Sequence, residues 1–289
     1  MNDAAVSCEY ELDPNDPQTW GGSPGEQCYV DTEILNEHGV WTCPHEVADA
    51  EARCQFHLPV DEKDDEETVD AFVDTVLTAM ESTDPSRQER KLQFIGARFG
   101  TFNLGNNPKR FETDGTRIDL SYSRFEDSLD ISGSTFDTGP VYFIGTRFQG
   151  TVNFDDVTFE DYVAFLAAEF EGPVTFDSTT FSDEGDFRSA SFKESSSFSG
   201  GVFGNRADFS SVEFGGDATF DSVEIEGDAN FSRTKFKTDF SLAAATIQGN
   251  ADFMAMKVIG EADFESLSVG GDTTLQFAEF EGVDSSGLL

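Results

Sequence analysis

The chain is short of positive charge: 18 Lys and Arg stand against 57 Asp and Glu, for a formal net charge of −39. A field of that sign repels nucleic acid and anionic lipid, both of them polyanions, so neither direct nucleic-acid binding nor membrane association is expected. No run of about 18 apolar residues occurs, and no spanning helix is read. The opening MNDAAVSCEYELDP has no basic region and no apolar stretch, so no export signal is expected and the setting is read as cytoplasmic. Histidine and cysteine are scarce too, with 3 and 4 copies, and none follows His57. The long remainder therefore lacks the usual bases and nucleophiles, and its carboxylates are too many for any pair to stand out. A non-enzymatic protein is expected.

Acidic chains poor in aromatics are often disordered, but 30 Phe supply the material of a core. Acidity spread over a chain with a core suits a protein kept soluble in concentrated salt, haloarchaeal-like in composition. Composition divides the chain into residues 1–60, which hold all Cys, His and Trp, a charged stretch at 61–90, and a Phe-rich region at 91–289.

In the middle stretch, DEETVDAFVDTVLTAMES (65–82) places Val69, Phe72, Val73, Val76, Leu77 and Met80 at helical spacing. Acidic residues in its first turn suit the helix dipole, and Pro85 follows its expected end. One capping α-helix over the end of the next domain is predicted, because a solenoid needs its ends covered.

From Phe143 to Phe280 a large apolar residue returns in alternating steps of five and six: Phe203, Phe209, Phe214, Phe220, Ile225, Phe231, Phe236 and onward. Leu120, Phe125, Ile131 and Phe136 extend the series upstream, and Phe94 and Phe99 look like its first members. Between them LGNNPKRFETDGTR (104–117) breaks the pattern and reads as an inserted loop. Two residues before each large one a small or β-branched residue is read: Ala207, Val212, Ala218, Val223, Ala229. Residues i and i−2 share a face only in extended chain, so each unit is a short strand with two side chains turned inward. An odd step would turn alternate Phe outward unless a corner intervened in every unit. Gly-Gly-Asp and its variants at 215–217, 226–228, 248–250 and 270–272 supply turns and tolerate positive φ, and the added residue is placed at that corner. As a helix, the same positions would lie about 140° apart and form no seam.

ADFSSVEF (207–214), GDANFSRTKF (227–236) and EADFESLSVGGD (261–272) resemble the pentapeptide-repeat family, in a Phe-rich form with one residue added to every second unit. The resemblance covers residues 91–282 and implies a mainly β protein, a right-handed quadrilateral β-helix with a coil of about 22 residues. Corner residues 217, 239 and 261, and likewise 228, 250 and 272, would then stack along two edges. Carboxylates so placed are expected to repel and to gather cations; the period is not that of a calcium β-roll.

The Cys and His residues are the candidates for a chemical site. Cys43, Cys54 and His57 have the spacing of three ligands of a small zinc module, and an upstream Cys would complete a tetrahedron. Cys8 is favoured because CEYEL reads as a strand, Cys28 follows a Pro- and Gly-rich stretch, and His45 can replace either. Two disulfides or free thiols are the alternatives to a structural Zn2+.

Three roles follow. The first is a scaffold for protein partners in a high-salt cytoplasm. The second comes from the family, some of whose members imitate the acidic rod of duplex DNA on gyrase. The third is a soluble regulatory partner of a membrane transport system. FAEFEGVDSSGLL carries no helix signal at the C-terminal end, so the last coil is expected to be open and to pair end to end with a second copy.

Overall fold

A computed structural model describes residues 7–47, 52–79 and 85–282. From about Phe94 the chain winds into a four-sided solenoid of strands two or three residues long. Each strand pairs in parallel with the one a coil away, as Val141 with Val163 and Val163 with Gly185. Four sheets result. Face I runs from Ile118–Asp119 to Thr273–Thr274 with eight strands, and face II from Arg98–Phe99 to Glu279–Phe280 with nine. Face III runs from Phe102–Asn103 to Ala262–Asp263 and face IV from Arg110–Glu112 to Ser268–Val269, each with eight strands. At about 4.8 Å between neighbouring strands the rod is roughly 38 Å long.

The repeat is explained by what fills the interior. Phe148, Phe170 and Phe192 stack along face II with ring centroids 4.7 and 4.6 Å apart and nearly parallel planes. Rings of the opposite faces I and III meet edge to face across the interior, as Phe187 and Phe198 do at 5.4 Å and 90°. Offset stacks and edge contacts are the two favourable arrangements of aromatic quadrupoles. One coil alone would leave its rings in water, and the coils above and below bury them.

Three local expectations need correction. Positive φ does not fall on the Gly-Gly-Asp corners. It falls at Ser189, Gly200, Ser211, Ser222, Arg233, Ala244 and Ala255, two residues after the large residue of faces I and III. Most of these residues are not glycine, and each accepts the left-handed conformation at about 1–2 kcal/mol because hydrogen bonds to the next coil hold it. The Ser211 N–H, for example, donates to Ser232 O at 2.9 Å. Gly216 and Gly249 serve close approach instead, since a Cβ would lie 2.5 Å from the backbone one coil earlier.

The segment 104–117 is not wholly an insertion. Arg110–Glu112 pairs with Thr135–Asp137, and the Phe111 ring stacks 5.0 Å from Phe136, which makes it the first core residue of face IV. Phe240 breaks the small-then-large rule. It occupies a small-residue position between Ala218 and Ala262 on face III, and Leu242 takes the place of the large ring. The two exchange volume, and Phe240 lies 4.1 Å from Phe236.

The predicted helix is present as α2 (Asp65–Ala79), following a short α1 (Pro17–Trp20). Val69, Phe72, Val73 and Val76 are buried, and Phe72 packs on Phe94, Phe99, Phe102 and Phe111 at the end of the rod. Leu77 faces solvent, against expectation, and Met80 lies outside the described residues. Pro85 opens a second helix, α3 (Pro85–Lys91), where the first helical position tolerates its missing N–H. The final segment 283–289 lies outside the described residues.

The corner carboxylates do stack at the 22-residue interval, and they have backbone partners. Asp228 Oδ1 accepts the Asn250 N–H at 2.7 Å, Asn250 Oδ1 that of Asp272 at 2.9 Å, and Asp239 Oδ1 that of Glu261 at 2.9 Å. Charge is divided unevenly among the faces. Face II mixes Arg98, Arg147, Lys193, Lys237 and Lys257 with Glu126, Glu169, Glu171, Glu213 and Glu281, paired between neighbouring residues. Face III, taken as each strand with the two residues on either side, carries acidic residues from Asp127 to Glu265 and no Lys or Arg.

Candidate metal centre

The N-terminal region is a small antiparallel ladder, Glu11–Leu12 against Trp41–Thr42, extended by a bridge between Ser7 and Glu46. That pairing sets Cys8 beside Cys43. The Cys8 N–H donates to His45 O at 3.2 Å, and the Cys43 N–H to Tyr10 O at 3.1 Å. Cys54 and His57 close a turn, with the His57 N–H donating to Cys54 O at 2.9 Å. The turn folds the imidazole back over the thiol. Cys8, Cys43, Cys54 and His57 meet with their ligand atoms all within 4.8 Å of one another, and all four are buried. They can hold a metal ion.

The orientation of each group suits ligation. Cys43 Sγ and Cys54 Sγ are 3.7 Å apart, and His57 Nδ1 is 3.2 Å from Cys54 Sγ and 3.7 Å from Cys8 Sγ. His57 Nε2 lies 2.9 Å from Ile95 O, so its N–H donates there and the lone pair of Nδ1 faces the sulfurs. Tyr10 stacks on the imidazole at 4.1 Å and 13°. Backbone N–H groups reach two of the sulfurs: Cys54 N is 3.2 Å from Cys8 Sγ, and His45 N is 3.5 Å from Cys43 Sγ. Hydrogen bonds from the Cys43 and Cys54 thiols pull the Cys8 thiol well below its ordinary range. Cys43 is pushed up by its thiol neighbours and by burial.

The two alternates lie elsewhere. His45 Nε2 is 3.0 Å from Gln93 O, and its ring stacks 5.0 Å from Phe94. Burial lowers this imidazole to about 4. Cys28 is half-buried, beside the Tyr122 hydroxyl. No disulfide joins Cys8, Cys28, Cys43 or Cys54. Sequence reasoning missed the supporting groups: Tyr10, Ile95 O, and the Trp41 indole N–H bonded to Gln93 Oε1 at 2.8 Å. Their spacing in the chain carries no metal signal.

A groove of about 450 Å³ also lies where Trp20 and Tyr29 meet Tyr122, Arg147 and Lys193 of the rod. Its cations have partners, Arg147 in Glu169 at 3.4 Å and Lys193 in Glu171 at 3.1 Å. Among the described residues no helix is long and apolar enough to cross a membrane.

Residues 120–168 match a family model described as pentapeptide repeats (9 copies). No curated protein and no solved structure matches the chain. The matched segment, together with the four-faced stack of short parallel strands, supports the pentapeptide-repeat family for this chain.

Proposed function

We propose that the protein is a non-enzymatic scaffold for protein partners in a high-salt cytoplasm, anchored at its N-terminal end by a structural zinc ion. The carrying observation is the closed set Cys8, Cys43, Cys54 and His57. Zinc–sulfur bonds of about 2.3 Å and zinc–nitrogen bonds of about 2.0–2.1 Å in a tetrahedron imply edges of about 3.8 Å between sulfurs and 3.5 Å from sulfur to nitrogen. Distances of 3.7, 3.7 and 3.2 Å are of that size. Three sulfurs and one nitrogen complete the sphere, and a complete sphere of buried ligands suits a structural rather than a catalytic ion. When bound, the ion ties three chain segments together and contributes folding energy. The side chains themselves hold the geometry, through the Ile95 carbonyl and the Tyr10 ring.

The scaffold reading draws on what remains after the cluster is accounted for. His45 is packed into the core, His38 is exposed beside Glu37, and the cations lining the groove at Trp20 are paired with Glu169 and Glu171. What the rod presents outward is a set of faces of unlike charge. Metal analysis of protein purified without chelator is expected to return one zinc per chain, and its absence sinks the zinc assignment. For the scaffold, partners captured from the native host in high salt are expected to be lost when Glu194, Glu261 and Glu265 of face III become Lys. Capture that ignores this change would count against a role for that face.

A second reading is favoured by the absence of Lys and Arg from face III. An acidic rod can occupy the duplex-binding surface of a DNA-handling enzyme such as gyrase. Inhibition of supercoiling at stoichiometric concentration in high salt supports it, and full activity at a large excess of the protein rejects it.

A further inference from the structure

The metal cluster and the first coil share one short piece of backbone. Between the ligands Cys54 and His57, the Phe56 carbonyl accepts the N–H of Arg98 at 2.7 Å. One coil later Ala97 O accepts from Arg124 at 2.8 Å, and after that Ser123 O from Arg147 at 3.0 Å. The segment 54–57 therefore stands where face II would have a preceding coil. Four further contacts bind ligand-bearing segments to residues 93–98. His57 Nε2–H donates to Ile95 O at 2.9 Å. The Phe56 ring meets Phe94 edge-on at 5.0 Å and 85°. His45, two residues from Cys43, stacks 5.0 Å from Phe94, lies 4.8 Å from the Phe56 ring, and reaches Gln93 O.

We propose that the metal centre is a latch on the N-terminal end of the solenoid: metal loading and the order of residues 92–103 are one coupled equilibrium. The inference rests on the zinc assignment above and adds the regulation of that site. Coupling of this kind is reciprocal. Loss of metal loosens the first coil, and damage to the first coil weakens metal binding, although no residue of that coil is a ligand. In a solenoid, stability is nearly a sum over neighbouring units, so damage far along the rod leaves metal affinity alone.

The test uses the full chain and competition with a chromophoric zinc chelator. Phe94→Ala removes a fully buried ring that touches His45 and Phe56 and no ligand atom. It is expected to weaken zinc binding tenfold or more, with the milder Phe94→Leu in between in case the alanine variant does not fold. Phe253→Ala removes an equally buried ring near the far end and is expected to change affinity less than twofold. Hydrogen exchange completes the test, since chelation should speed exchange at 92–103 far more than at 140–260. Wild-type affinity in both Phe94 variants, or uniform exchange on chelation, overturns the latch and leaves the zinc site standing. A wild-type chain that binds no zinc overturns both.

Discussion

Ser196 is 3% exposed, and its Oγ has no hydrogen-bond partner among the described residues. On face III its column neighbours are Val174 and Ala218, which offer no side-chain acceptor. At the corner that follows face III in the preceding coil, Thr179 is fully buried and its Oγ1 donates to Phe154 O at 2.7 Å, a bond that Thr146 repeats to Leu120 O at 2.8 Å. Opposite responses to losing the hydroxyl follow. A buried hydroxyl without a partner costs about 1–3 kcal/mol in lost hydration. Ser196→Ala recovers part of that and gives up a little packing, so a gain of about 1 kcal/mol is expected. Thr179→Val loses a hydrogen bond of about 0.5–1.5 kcal/mol and gains something from the added methyl. Phe154 O keeps the Val157 N–H at 3.1 Å, so the acceptor is not stranded. A loss of under about 1 kcal/mol is expected there. Thermal midpoints in one buffer read the difference, at about 2–4 °C per kcal/mol for a chain of this size. Denaturant midpoints check it, because a repeat array can unfold without full cooperativity. If Ser196→Ala is as destabilising as Thr179→Val, the Ser196 hydroxyl has a partner and the reasoning fails.

Asp119 is wholly buried, and burial raises its carboxyl above the ordinary value, against the Ser121 N–H at 3.0 Å and nearby Arg117. With the folded value above the unfolded one, ionisation costs the fold nothing below the unfolded pKa and progressively more as pH rises through the folded pKa. Asn230 holds the same kind of bond, from Ser232 N–H at 3.0 Å, so Asp119→Asn is expected to raise the midpoint at pH 7, with the gap closing near pH 4. A gap that widens on acidification would contradict this. Phe240→Ala should cost about 3–5 kcal/mol in denaturant unfolding, and adding Leu242→Phe should return a good part of it by restoring the repeat rule; no recovery would show that the exchange of volume is not local. The unfolding temperature is expected to climb steeply with KCl, because stacked carboxylates are relieved by screening, and a flat salt response would refute this. Among the described residues the last coil leaves Leu275 and Phe277 exposed, at 42% and 74%, so sedimentation in high salt is expected to find a dimer through that end. A monomer at micromolar concentration would reject it.

The repeat was legible because a core made of rings needs one large residue per face in every coil, and a periodic demand leaves a periodic trace. The corners were less legible. Glycine usually marks positive φ, but Ser211, Ser222 and Arg233 adopt it under constraint from the next coil, while Gly216 answers to a backbone neighbour a full coil away. Phe111 hid inside an apparent loop because its neighbours in sequence broke the step, although its partner Phe136 did not.

By itself the sequence determined the solenoid, the end-covering helix and three members of the Cys/His group, since each depends on spacing along a short stretch of chain. Only the tertiary structure decided that Cys8 joins Cys43, Cys54 and His57, while Cys28 lies by Tyr122 and His45 packs on Phe94. The same holds for the exchange between Phe240 and Leu242, and for the role of Phe56 O as the missing coil of face II. These outcomes depend on which strands pair and which volumes are shared across coils, and local spacing carries no record of either.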